Sequence, residues 1–244
     1  MTLAAPRVLV VVPTYEERDN LGALVPAVLA QAERAPGPLE LLVVDDASPD
    51  GTGDLARELA RRDPRVHALH RPRKEGLGRA YAAGFRWALA LEPARAPALV
   101  VTMDADLSHD PAALPALLDA AAAADLVCGS RWVPGGGTRN WGLGRRLLSR
   151  GGSRYAARVL GLELRDLTGG FRVYRRELLA RLPLEALHAG GYGFQIEMLL
   201  RAVRAGARVA EVPILFEERR VGRSKLGWRD VSEAALLPWL LRRV

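Results

Sequence analysis

The sequence predicts an α/β protein, a mostly parallel sheet flanked by helices, with amphipathic helices gathered on one side. Two observations carry that expectation. Short apolar, β-branched runs alternate with helix-like stretches through the first half of the chain, the pattern of strand–helix–strand units. Two of those runs, Leu39 to Val44 and Ala98 to Thr102, lead directly into acidic segments. Open α/β sheets bind ligands just beyond the carboxyl ends of their strands.

The elements follow in order. A strand at Val8–Val12 precedes a helix through Leu21–Ala32, and a strand at Leu39–Val44 precedes a helix from about Gly53 to Arg62. A short strand at Val66–Leu69 and a helix at Arg79–Ala90 lead to a strand at Leu99–Met103. Asp110-Pro111 then opens another helix, with Asp as N-cap and Pro at the first helical position. A strand at Asp125–Cys128 ends at Gly129-Ser130-Arg131. The second half is less regular. It holds a glycine-rich loop from Gly135 to Gly144, a basic region, a helix near Phe194–Ala205, a strand at Arg208–Phe216 and a C-terminal helix. Gly151-Gly152 is expected to divide the basic region into two shorter helices. The sheet half is expected to take a nucleotide-like ligand and the irregular half a second substrate.

The acidic segments are Val44-Asp45-Asp46-Ala47-Ser48-Pro49-Asp50-Gly51-Thr52 and Met103-Asp104-Ala105-Asp106-Leu107-Ser108-His109. One such segment alone reads equally as a solvated strand end with an Asx turn. Two at equivalent strand ends point to a ligand site. Asp104 and Asp106, one small residue apart past the strand, are able to face one point; oxygen ligands so spaced suit Mg²⁺ or Mn²⁺ bridging to a diphosphate. His109 is expected to cap the loop rather than ligate.

Charge narrows the rest. The net charge is +7, yet Arg131 to Arg176 holds eleven Arg and two acidic residues (Glu163, Asp166), which leaves about −2 for the remainder. Arg146, Arg150, Arg154 and Arg158 recur every fourth residue, with Leu143, Leu147, Leu148, Tyr155, Val159 and Leu162 as their apolar counterpart. Such a segment reads as a membrane-surface or phosphate-binding element, or as an ordinary solvated face. Interleaved aromatics for base stacking are missing, so no nucleic-acid partner is expected. The single Cys128 excludes an internal disulfide framework and reads as a small buried hydrophobe. No signal peptide and no run of ~20 apolar residues is evident, which suits a soluble or peripheral, cytoplasmic protein of one domain. Gly76-Leu77-Gly78 lacks the third glycine of a dinucleotide fingerprint, because Tyr81 stands there; the pair is expected to relieve crowding at a helix start.

Read together, the motifs resemble family 2 glycosyltransferases of the GT-A fold, most closely the polyprenol (dolichol) monophosphate mannose synthases. The blocks run from Pro13-Thr14-Tyr15-Glu16-Glu17 through Asp45-Asp46-Ala47-Ser48-Pro49-Asp50, Gly76-Leu77-Gly78 and Asp104-Ala105-Asp106-Leu107-Ser108-His109. They continue at Gly129-Ser130-Arg131, Arg145-Arg146-Leu147-Leu148-Ser149 and Asp166-Leu167-Thr168-Gly169-Gly170-Phe171-Arg172. The last are Gly193-Phe194-Gln195-Ile196-Glu197, Glu211-Val212-Pro213 and Arg219-x-x-Gly222-x-Ser224-Lys225.

The resemblance implies an inverting transfer of mannose from GDP-mannose to a polyprenyl monophosphate. It assigns Pro13, Tyr15, Glu17, Val44 and Asp46 to the base and ribose, and Asp104 and Asp106 to the metal and donor diphosphate, with Ala105 between them. Ser108 stands where relatives carry Gln as a further metal ligand, and Glu16 where they commonly carry Asn. Arg131, Arg145, Ser149 and Arg219 match the acceptor-phosphate positions; Arg131, Arg219, Gln195 and Lys225 also reach the donor. A lipid phosphate is already ionised and attacks without a general base, so the acceptor side needs cations. The implied layout is one GT-A domain over 1–244, with a nucleotide-sugar half (1–131), an acceptor half (132–229) and a C-terminal interfacial helix (230–244). That helix, around Trp239 and the terminal arginines, is too short to span and suits the cytoplasmic face of a membrane. A UDP-sugar donor, a nucleotidyltransferase and a non-catalytic binding protein are the competing readings.

Overall fold

A computed structural model describes residues 5–187, 193–218 and 236–242. The chain opens with β1 (Val8–Thr14), α1 (Arg18–Leu29), β2 (Leu39–Asp45), α2 (Thr52–Arg62), β3 (Val66–His70), α3 (Leu77–Ala90) and β4 (Leu99–Thr102). It continues through α4 (Leu114–Ala120), β5 (Leu126–Ser130), β6 (Gly137–Arg139), α5 (Leu143–Leu160), β7 (Arg172–Arg175) and α6 (Arg176–Arg181). Then come α7 (Gly193–Arg204), β8 (Val209–Pro213) and β9 (Leu215–Glu217). Seven strands form one sheet in the order β3-β2-β1-β4-β7-β5-β8, and β6 pairs with β9 in a second sheet.

Within the large sheet β3, β2, β1 and β4 run parallel, as do β5 and β8. Strand β7 is antiparallel to both β4 and β5, between which it lies. Because the strands are covered on both faces, successive residues enter opposite cores. Val8, Val10 and Val12 join the layer under α1 and α4, whereas Leu9 and Val11 join the layer under α3, α6 and α7. The parallel pairing places the carboxyl ends of β1, β2 and β4 along one edge, in register Thr14 with Asp45 and Val11 with Thr102. Both acidic segments therefore open on the same edge.

Two sequence expectations are corrected. Gly151 and Gly152 do not interrupt α5, which is continuous over 18 residues. Both glycines face solvent with nothing within 4 Å of a would-be Cβ, while Ser153, Ala156 and Ala157 anchor the helix to the core. Tertiary packing thus outweighs the ~1 kcal/mol per glycine lost in helix propensity. The stretch 208–216 is two strands rather than one. The Ile214 N–H donates to Ser130 O (3.0 Å) and its side chain enters the core, so the chain passes from β8 beside β5 to β9 beside β6.

Cys128 is buried in β5, and burial pushes its thiol up to about 11, so it acts as a small hydrophobe. Gly78 admits the Phe194 ring, which a Cβ would meet at 3.0 Å.

Candidate active site

Three strand ends build the site, and each ends in backbone that side chains rarely adopt. Glu16 after β1 (φ 58°), Ala47 after β2 (φ 57°) and Leu107 after β4 (φ 59°) all lie in the left-handed region. Such conformations persist where surrounding contacts over-determine the chain, and they gather at functional sites. Here those contacts are explicit. Glu16 N–H donates to Ser48 Oγ (3.1 Å) and Glu17 N–H to Thr52 Oγ1 (3.0 Å), tying the first loop to the second.

Asp46 is buried and serves as a clasp. Its carboxylate accepts from Glu75 N–H (3.1 Å) and Gly76 N–H (3.2 Å), and pairs with Arg71. Lys74 then lies 3.5 Å over the Tyr15 ring. Pro13 and Val44 stand opposite each other in the β1–β2 register. The sequence-selected residues Pro13, Tyr15, Glu17, Val44 and Asp46 thus come together along two adjacent strand ends.

Beyond β4, His109 is fully buried, and its Nδ1 accepts the Asp104 N–H (3.1 Å). That bond makes Nδ1 an acceptor, and burial pushes the imidazole below its ordinary value, so the ring is neutral and caps the loop. Tyr81 OH donates to Asp104 Oδ1 (3.0 Å) from α3; burial first, and the Asp104 charge second, raise its phenol well above the usual range. The Ser108 hydroxyl donates to Asp106 Oδ1 (2.5 Å), as does its N–H (3.1 Å). Ser108 therefore orients Asp106 within the loop, and Ala105 between the two carboxylates is buried.

Gly170 closes this corner. A Cβ there would meet both Asp104 carboxylate oxygens and Gln195 Nε2 at 3.4 Å, so only a bare backbone leaves the space. Gln195 is buried on α7, and neither its Oε1 nor its Nε2 has a hydrogen-bond partner among the described residues. A buried, unpaired amide beside a carboxylate is costly without a ligand. No group of three or more His, Cys, Asp or Glu suited to a metal is present among the described residues. Two carboxylates at a strand end, with room beside Gly170, nevertheless fit a hard cation that takes its other oxygens from a diphosphate and water. A dedicated all-protein cage is not what Mg²⁺ requires.

On the opposite flank, Arg131 is buried against Asp166, donating from Nε (2.7 Å) and Nη2 (2.7 Å), and Nη2 also reaches Thr168 Oγ1 (2.7 Å). Burial works to raise the Asp166 carboxyl, but hydrogen bonds and charge from Arg131 outweigh it and hold the carboxyl below its ordinary value. The pair fixes Arg131 near Trp141, which Arg145 also approaches. The guanidinium carbons lie 5.6 Å and 4.1 Å from the Trp141 rings. Arg145 pairs with Glu218 (2.7 Å), and Ser149 follows one turn later on α5. Arg219 and Lys225 lie outside the described residues.

Several residues to which the sequence reading gave no role complete the site. Phe216 lies against His109 (5.3 Å) and Trp141 (5.4 Å), joining the acidic loop to the arginine flank. Phe194 stacks on Tyr81 (5.6 Å), behind Asp104. Arg172 is fully buried and donates to the carbonyls of Leu167 (2.8 Å), Gly169 (2.9 Å) and Gln195 (2.7 Å). The Gly-Phe-Gln and Gly-Gly-Phe-Arg runs contained the last two without assigning them a role.

Carboxylates beyond parallel strands, linked through His109, Phe216 and Trp141 to an arginine-bearing helix, are the arrangement of a GT-A glycosyltransferase. Residues 9–182 match glycosyl transferase family 2, and the chain belongs to that family. It is 49% identical over 230 residues to an undecaprenyl-phosphate mannosyltransferase of Micrococcus luteus, covering 94% of this chain and 91% of the relative. It is also 49% identical to a polyprenol monophosphomannose synthase of Mycolicibacterium smegmatis, covering 93% and 84%. The fold is shared with glucosyl-3-phosphoglycerate synthase of Mycobacterium tuberculosis. One structure of that enzyme, with Mn²⁺, UDP and glucosyl-3-phosphoglycerate, is 20% identical, has a TM-score of 0.65, and covers 97% of this chain and 80% of its own. Another, with Mg²⁺ and UDP, is 22% identical with a TM-score of 0.66 and coverage of 97% and 79%.

Proposed function

We propose that this chain transfers mannose from GDP-mannose to a polyprenyl monophosphate, with inversion, in a Mg²⁺- or Mn²⁺-dependent reaction. The observation that carries the reading is the 49% identity to two polyprenyl-phosphate mannose transferases over more than nine-tenths of the chain. The site chemistry agrees. Asp104 and Asp106 would hold the cation together with the donor diphosphate; when bound, the cation neutralises charge on the departing nucleoside diphosphate. The strand-end residues Pro13, Tyr15, Glu17, Val44 and Asp46 take the nucleoside. Gln195, Arg219 and Lys225 are assigned to the donor, and Arg131, Arg145, Ser149 and Arg219 to the acceptor phosphate.

A phosphate monoester supplies its own nucleophilic oxygen, with no proton to remove near neutral pH. Consistent with that, the carboxylates beside the arginines are engaged: Asp166 by Arg131 and Glu218 by Arg145. The binding task on this side is to bring two anions together, and fixed guanidinium groups accomplish it.

The layout then reads as a donor half over 1–131, an acceptor half over 132–229 and an interfacial segment over 230–244. Among the described residues no helix is long and apolar enough to cross a membrane. Residues 236–241 are helical, and Trp239 Nε1 donates to Tyr155 OH (2.8 Å), seating that helix beside α5. Leu148, Leu236, Trp239 and Leu240 are all exposed there. An amphipathic surface of this kind suits the headgroup region and supports a peripheral association, which we assign to the cytoplasmic leaflet.

The test is turnover with Mg²⁺ or Mn²⁺, a short polyprenyl phosphate and a panel of GDP-mannose, UDP-glucose and UDP-N-acetylglucosamine. The expected result is lipid-dependent nucleotide release from GDP-mannose alone. Asp106→Asn should reduce it at least about a hundredfold, the scale of losing several kcal/mol of charge stabilisation. Release from a UDP-sugar instead would overturn the donor assignment, and no release from any donor would overturn the reaction.

A further inference from the structure

A further hollow borders the acceptor flank. A cleft of about 470 Å³ opens between the glycine-rich loop and α5, lined by Arg131, Trp132, Arg146, Arg150, Arg165 and the backbone around Gly136, with no carboxylate in the lining. Asp166 neutralises Arg131. The Arg146 guanidinium rests on Thr138 Oγ1 (2.8 Å) and Thr138 O (2.8 Å), neutral partners that leave its charge uncompensated among the described residues. Among the described residues, the Arg150 and Arg165 side chains carry no hydrogen bond or ion pair; Arg165 is held by its backbone N–H on Glu211 (2.8 Å). Three guanidinium groups with no counter-charge among the described residues surround one hollow, repel one another and concentrate anions there. Their planar forks match phosphate oxygens in particular.

The rim says which phosphate. Leu143 and Leu147, one turn before Arg146 and Arg150 on α5, are 76% and 72% exposed. A soluble phosphate would satisfy the arginines and leave both leucines in water. A phospholipid would serve both, its phosphodiester in the cleft and its acyl chains against the leucines. Neither Arg145 nor Ser149 lines the cleft, and among the described residues Arg131 is the one it shares with the acceptor-phosphate set. We infer that this cleft binds the phosphodiester headgroup of an anionic phospholipid, separately from the acceptor phosphate. The inference rests on the membrane association proposed above and gives it a lipid preference.

Flotation with vesicles of phosphatidylcholine alone, or with added phosphatidylglycerol, tests it at physiological salt. The wild-type chain should partition onto the phosphatidylglycerol vesicles at least tenfold more strongly, and Arg150→Gln/Arg165→Gln should lose that preference. Arg34→Gln/Arg61→Gln, which removes equal charge from exposed sites on other elements, should keep it. All three proteins should turn over a short, water-soluble polyprenyl phosphate with the same KM. Equal flotation on both vesicles overturns the headgroup site and leaves membrane binding intact; flotation on neither overturns both. An unchanged preference in the cleft variant, or an equal loss in the control, also overturns it. A raised KM in the cleft variant would give the cleft to the acceptor instead. Titration with dihexanoyl phosphatidylglycerol below its micelle concentration should saturate the wild type and not the cleft variant. Saturation by inorganic phosphate at equal or lower concentration would reassign the cleft to a soluble phosphate.

Discussion

At the scale of single residues, the site is made of side chains fixed by their neighbours. Asp104 is held by Tyr81 and Asp106 by Ser108. Each cap costs little in sequence, yet together they aim two carboxylates past one strand. The backbone beneath them is under strain that the sequence does not relieve at Glu16. Its φ of 58° places a Cβ-bearing, unbranched acid where Asn or Gly is at ease. Left-handed backbone costs an ordinary residue roughly 1–2 kcal/mol, and Asn recovers part of that through local hydrogen bonding. Glu16→Asn should therefore stabilise the fold by about 0.5–1 kcal/mol, raising Tm by roughly 2 °C in a domain of this size. Calorimetry decides it; a lower Tm would mean that the Glu16 carboxylate makes a contribution larger than the strain.

At the scale of elements, α5 is the most exposed helix for its length: only Ser153, Ala156 and Ala157 of its residues are buried. Nothing packs against Gly151 or Gly152, so a methyl group at either has room. Gly151→Ala and Gly152→Ala should each stabilise by about 1 kcal/mol, measured by urea unfolding with an unchanged m-value. A loss of stability would show that the helix uses its glycines to flex. The same helix shows why some elements were legible and others not. Strands β1 to β5 announce themselves because apolar runs and their turn residues are local. Strand β7 does not, because Arg172 at its start is charged in sequence and its burial depends on carbonyls of 167, 169 and 195. Strand β6 lies hidden in a glycine-rich loop and exists only through its pairing with β9. The site divides likewise. Asp104 and Asp106 are neighbours in the chain and could be read; Trp141 and Phe216 meet only in space, 75 residues apart.

At the scale of the molecule, the proposed donor and acceptor halves are joined by a buried polar seam around β7. Thr102 Oγ1 donates to Gly170 O (2.6 Å), Arg131 is fastened to Asp166, and Arg172 ties the 167–169 carbonyls to Gln195. Glu211, on β8, secures the same loop by accepting Asp166 N–H (2.9 Å). Breaking one partner of a buried ion pair leaves the other charge unsatisfied, at about 3–5 kcal/mol. Asp166→Asn should therefore lower stability by that order at neutral pH. The pH dependence follows from the direction of the Asp166 shift. Its folded carboxyl lies below the ordinary value of 3.8, so the folded protein binds fewer protons than the unfolded chain as acid is added. The pair's contribution is fully present above that ordinary value and disappears as pH falls through the lower, folded one. Wild-type stability should therefore drop more steeply below about pH 4 than that of Asp166→Asn, and the two curves should converge in acid. Parallel curves would place the acid sensitivity elsewhere. Convergence would show that the Asp166 charge, which fixes Arg131, also carries the acid sensitivity of the fold.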